Sequence, residues 1–191
     1  MALLTRRAKD FIQACLLGSL VLVACGPWLE AQAPRASEYQ VKAVFLFNFA
    51  QFVDWPPGAF PDSAAPIVIG VLGNDPFGAY LDETVRGERV RGHPLEVRRY
   101  RTIEEIRTCH ILFINPSGAG RLEDVLGELK DRAILTVGDD AGFAQRGGMI
   151  RFVSENSRIR MRINLEAAAA ANLTISSKLL RAAEIVTPGK P

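Results

Sequence analysis

Strands that alternate with helices across short loops predict an α/β fold, a single three-layer α/β/α sandwich with a mainly parallel sheet and a C-terminal antiparallel hairpin. Two observations carry this expectation. Residues 67–72 (IVIGVL) and 111–114 (ILFI) are continuous apolar runs of strand length, the pattern of strands buried on both faces, and 134–137 (ILTV) reads as a further strand of the same sheet. Helix signals separate them, and right-handed crossovers would place those helices on both sides of the sheet.

Taken in order, residues 37–57 (SEYQVKAVFLFNFAQFVDWPP) read as one amphipathic helix with a heavy aromatic load. Ser37 with Gln40 three positions on forms a capping box. Trp55 followed by Pro56 and Pro57 stops the helix, because proline lacks an amide donor and disfavours helical geometry before it. At 100° per residue Val41, Phe45, Phe49, Phe52 and Val53 share one side. Phe47 falls opposite, among Gln51 and Asp54. An aromatic placed there is either covered by another element or left for another protein, so Phe47 and Trp55 are candidate partner-binding residues.

A Pro/Asp/Ser/Ala linker over residues 60–66 leads to the first strand. Asn74-Asp75-Pro76 supplies a cap and a first-turn proline for a helix over 76–85. Residues 95–100 read as a strand and 102–107 as a short helix capped by Thr102. The 111–114 strand, a helix over 121–130 and the 134–137 strand follow, the last ending at Gly138-Asp139-Asp140. Residues 149–153 and 159–163 form the hairpin about Glu155-Asn156-Ser157. Helices over 165–171 and 176–186 close the domain, and 187–191 is a tail.

The N-terminus reads as an export signal occupying residues 1–33: Arg6, Arg7 and Lys9 precede an apolar stretch over 11–24. That stretch falls short of the roughly 20 residues of a membrane-spanning helix. Leu22-Val23-Ala24-Cys25 resembles a lipobox and makes Cys25 a candidate lipidation site. Ala31-Gln32-Ala33 is the competing cleavage pattern, with Pro34 against it. More than one acyl chain on Cys25 would tether the protein to a membrane. The roughly 155 residues that remain suit one domain, placed over 37–186.

A net charge of +2 with dispersed charges offers no electrostatic case for nucleic acid. Arg86, Arg89, Arg91, Arg98, Arg99 and Arg101 make a basic interval, read as a solvated strand-and-loop face. Of three cysteines, Cys15 leaves with the signal and Cys25 is removed or lipidated, so Cys109 has no internal partner. It opens the run CHILFI and reads as a small buried core residue.

Ligands of open α/β sheets sit beyond the carboxyl ends of the strands. Those ends carry Asn74 and Asp75, Asn115 and Ser117, and Asp139 and Asp140, a candidate ligand crevice whose residues serve equally as caps and turns. None has the form of a P-loop or a dinucleotide fingerprint. His93 and His110 lack metal-ligand spacing, and Ser117 has no nucleophile elbow. No catalytic, metal or cofactor residues are expected, and the protein is not expected to be an enzyme.

The segments FLFNFAQFVDWP (45–56), GNDPFG (73–78), CHILFINP (109–116), GDDAGFAQRGGMIRF (138–152) and INLEAAAAANLTISSKLL (163–180) occur in the order seen in the YfiR-like family of bacterial periplasmic proteins. The chain resembles that family from about residue 37 to 186. The resemblance implies a non-enzymatic, dimer-forming periplasmic regulator. Such a protein binds the periplasmic sensory region of an inner-membrane diguanylate cyclase, or of a sensor kinase, and represses it, restraining cyclic-di-GMP synthesis and biofilm formation. A periplasmic small-ligand receptor is the alternative. One departure stands out. The family's namesake uses disulfides, each typically worth about 2–4 kcal/mol, whereas this chain offers only Cys109, so redox control is not carried over.

Overall fold

The structure, a computed structural model, describes residues 32–115, 117, 120–156 and 158–187, with side chains from residue 37. The chain divides into two units, Met1–Ser37 and Glu38–Pro191. The described part of the first is helical from Gln32. The export signal and Cys25 lie outside the described residues.

The second unit is built on an eight-stranded sheet. Its centre is parallel: β2 (Ile67–Leu72), β5 (Ile111–Ile114) and β6 (Leu135–Gly138) are buried at every residue. Ile69 pairs with Ile111 and Ile111 with Leu135. On one side β4 (His93–Tyr100) joins β2 in parallel, with the short β3 (Arg89–Val90) antiparallel outside it. On the other side β7 (Ile150–Glu155) joins β6 in parallel. β8 (Arg158–Ile163) then folds back antiparallel, as the hairpin expectation required, and β10 (Glu184–Ile185) lies parallel to β8.

Strand alternation divides the buried side chains between two cores. Ile67, Ile69, Val71, Ile111, Phe113, Leu135 and Val137 face the larger core. There they meet α1 (Gln32–Phe52), α2 (Ala79–Val85), Ala168 of α4 (Leu165–Ala170) and Leu179 of α5 (Ser177–Leu180). Leu72, Leu112 and Ile114 face the smaller core with α3 (Leu122–Leu129) and Phe143. Three layers follow directly from that division.

Several local expectations are corrected. Helix α1 starts at Gln32, so Ser37 lies inside it rather than capping it, and it ends at Phe52, ahead of the proline pair. Val53 and Asp54 leave as β1, antiparallel to β9 (Thr174–Ile175), and Ser176 N–H donates to Phe52 O at 2.8 Å. The helix stops because its next residues find strand partners more than a hundred positions downstream. Its buried face is also rotated: Lys42, Ala43, Leu46, Phe49, Ala50 and Val53 are buried, while Val41 is 45 % exposed. Small Ala43 and Ala50 let the helix backbone sit close to the sheet, and a paired lysine takes a place that hydrophobicity alone would assign to valine.

Helix α2 begins at Ala79, because the Asp75 carboxylate takes the N–H groups of Phe77 (2.7 Å) and Gly78 (3.3 Å) in a turn that precedes it. Thr102 makes no side-chain cap bond, and only the 3-10 turn Ile103–Glu105 follows. The expected helix over 176–186 lasts one turn, capped by Ser176, before the chain returns to the sheet as β10. β3 went unexpected. Its two-residue turn has Arg91 at φ 52 and Gly92 at φ 90, the left-handed pair a tight hairpin requires.

Candidate functional site

At the carboxyl ends of β2, β5 and β6 the candidate crevice residues come together in two groups. The first joins the loops after β2 and β5. Asn115 Nδ2 donates to Asn74 O (2.8 Å), Asn74 N–H donates to Ser117 O (3.0 Å), and Ser117 N–H donates to Asn115 Oδ1 (3.1 Å). Asp75 turns away from this group: its second oxygen accepts from Arg99 Nε at 2.8 Å, and Arg99 also grips Asp82 and Gly78 O. The Asn115 and Asp75 side chains satisfy loop backbone, as short polar residues do in turns, whereas Asn74 and Ser117 take part through their main chains.

The second group is electrostatic. Asp139 Oδ2 accepts from Tyr39 OH (2.8 Å) and from Lys42 Nζ (2.7 Å). Lys42 also reaches Glu38 Oε1 at 2.6 Å, and Ser154 Oγ donates to the same oxygen at 2.6 Å. The Lys42 ammonium lies 4.3 Å from the Tyr39 ring centroid. Burial opposes ionisation of Glu38, but hydrogen bonds from Lys42 and Ser154 outweigh it and hold the carboxyl below its ordinary range. Asp140, next door, pairs with Arg146, which also reaches Glu123 at 3.2 Å. The Glu38–Lys42 spacing of four was legible as a helical ion pair. Asp139, 97 positions away, was not.

The candidate partner-binding aromatics are both half-buried. Phe47 packs against the larger core. Trp55 lies beyond α1, edge-on to Phe60 (6.2 Å) and to His110 (6.0 Å), and its buried indole N–H has no hydrogen-bond partner among the described residues. Phe60 is stacked between His93 (4.3 Å) and His110 (4.4 Å). His110 Nδ1 accepts from Val68 N–H (3.0 Å), so Nε2 carries the proton toward Ala59 O at 3.2 Å. His93 Nδ1 meets Ala65 O at 2.7 Å. The two histidines thus hold the loop between β1 and β2 at Ala59 and at Ala65. Burial lowers the His110 pKa, against a smaller opposite pull from the Ala59 carbonyl.

Cys109 is free and buried, and burial pushes its thiol up to about 12. Among the described residues no three His, Cys, Asp or Glu side chains converge in a way that would hold a metal ion. No described helix is long and apolar enough to cross a membrane. A separate groove of about 570 Å³ runs between α3 and α4 over Thr136, Met149 and Asn164.

No curated protein matches this chain. The sequence model described as YfiR/HmsC-like matches residues 39–184, from the start of the Tyr39–Lys42 network to the first residue of β10. That family is regulatory and not a known enzyme family. With the match spanning the α/β unit described above, the chain belongs to the YfiR/HmsC-like family.

Proposed function

We propose that the protein is exported to the periplasm, docks on the periplasmic sensory region of an inner-membrane diguanylate cyclase or sensor kinase, and represses it. The observation that carries this reading is the family match over residues 39–184. Phe47 and Trp55 remain candidate contact residues, Cys25 the candidate lipid anchor and a homodimer the candidate assembly. Deleting the gene should raise cyclic-di-GMP, or the output of the partner kinase, and a plasmid copy should restore it. If both outputs stay at the wild-type level, the reading fails.

A small-ligand receptor is the second reading. The groove between α3 and α4 favours it, since about 570 Å³ lies within the range of metabolite sites. A thermal-shift screen with periplasmic metabolites should then show stabilisation that is lost when Ala167, which lines the groove, is replaced by Trp.

A further inference from the structure

β8 is an edge strand for four of its six residues. β10 pairs with it only at Arg162 and Ile163. Among the described residues, positions 158–161 have no strand on that side. Val186 N–H donates to Ile163 O at 2.9 Å, so Ile163 turns its main-chain groups outward. By the period of two, Ile159 and Met161 do the same, while Arg158, Arg160 and Arg162 face Glu155, Val153 and Arg151 across the ladder to β7. A cavity of about 400 Å³ flanks this edge, lined by Arg160, Met161, Arg162 and the turn over 181–184.

The two faces of the edge differ in chemistry. Ile159 and Met161 point into the larger core. Arg158, Arg160 and Arg162 line the other face, with Arg151 directly across from Arg162 and Arg181 on the cavity wall. Glu155 reaches Arg160 at 3.6 Å and Glu184 reaches Arg162 at 3.0 Å. Arg151, Arg158 and Arg181 have no acidic partner among the described residues. Like charges directly across a strand pair repel, so this face carries an excess that an incoming acidic segment would neutralise. The same excess opposes pairing with a second copy, whose arginines would meet these, in the way charged edges keep sheets apart.

We propose that the open edge of β8 receives an extended acidic segment of the partner protein as an added strand. The strand bonds to the main chain of Ile159 and to the N–H of Met161, whose carbonyl the Glu184 pairing uses, and alternates carboxylates, over Arg158 and Arg160, with apolar side chains toward Ile159 and Met161. This names the docking surface of the regulatory reading above and rests on it. Strand addition draws affinity from main-chain bonds and specificity from alternate side chains.

The test uses the purified mature protein and a labelled, end-capped peptide of about ten alternating glutamate and valine residues, followed by fluorescence anisotropy. Saturable binding is expected, weakening as salt rises and about tenfold weaker for R158E/R160E. A peptide methylated on alternate amide nitrogens, and a block peptide with all glutamates before all valines, should not bind. The methylated peptide keeps the test informative even where the double variant loses its fold, which circular dichroism would reveal. The proposal is overturned by no saturable binding, by equal binding of the methylated or block peptide, or by a dimer that forms through this edge. Its failure alongside an intact cyclic-di-GMP response would leave the regulatory reading standing. Peptide binding without that response would remove the regulatory reading instead.

Discussion

An ammonium that is 2 % exposed is costly to keep ionised, and Lys42 stays there because Glu38, Asp139 and the Tyr39 ring surround it. Removing one partner leaves part of that buried charge uncompensated, whereas removing the lysine frees Glu38 and Asp139, whose side chains are 29 % and 24 % exposed and can turn to water. Asp139→Ala should therefore lower stability by about 2 kcal/mol, with Glu38 moderating the loss. Lys42→Met, which keeps the apolar stem, should cost less. Urea unfolding of both variants reads the difference, and a larger loss for Lys42→Met would contradict this account. His110 gives a pH dependence at the same scale. Its folded pKa lies below the ordinary imidazole value of 6.5, chiefly through burial, so below about pH 6.5 the unfolded chain binds the extra proton. Stability therefore rises with pH through that window and falls as pH drops through it. The Tm of the wild type should decline on acidification from about pH 7.5 to about 5.5, and His110→Asn should flatten the decline. Glu38 acts lower: its depressed pKa adds stability above the ordinary glutamate value of 4.5 that is lost as pH falls below it.

At the scale of elements, close approach decides which substitutions the sheet accepts. The Phe143 ring is fully buried and lies over Gly138 and Gly148. A Cβ on Gly148 would sit 2.1 Å from Phe143 Cε1, and one on Gly138 would sit 2.6 Å from the same ring. Gly148→Ala must displace the ring and should cost about 2 kcal/mol through overpacking. Adding Phe143→Leu should recover part of that loss, a coupling that thermal unfolding of the two single variants and the double variant measures. Additive losses would show that the ring is not what the new methyl meets. Helix α1 belongs to the same argument. Its end is set by the β1–β9 ribbon, and its rotation is set by Ala43, Ala50 and Lys42 rather than by its valines.

Above the scale of elements, stability comes from two apolar cores on opposite faces of one sheet, with no disulfide among the described residues. Cys109 is the only cysteine between residues 26 and 191, and its thiol is buried and held protonated at neutral pH. Reducing agents should leave the Tm unchanged, and a thiol reagent should label Cys109 only as the protein unfolds, read by mass spectrometry across a denaturant series. Labelling of the native protein at the rate of an exposed thiol would show that this part of the core opens readily.

The strands 67–72 and 111–114, the hairpin and the three-layer architecture were legible in the sequence, because a buried parallel strand must be apolar at every position and a helix must announce its breaks. That short polar residues follow those strands was legible too, since Asn, Asp and Ser collect where strands end. Tertiary structure alone decided the rest. Residues 184–185 became a strand and Asp139 the partner of Lys42, because each depends on a neighbour far along the chain. Local patterning records which face a residue offers. What meets that face is settled only when distant segments fold together and satisfy one another's hydrogen bonds and charges.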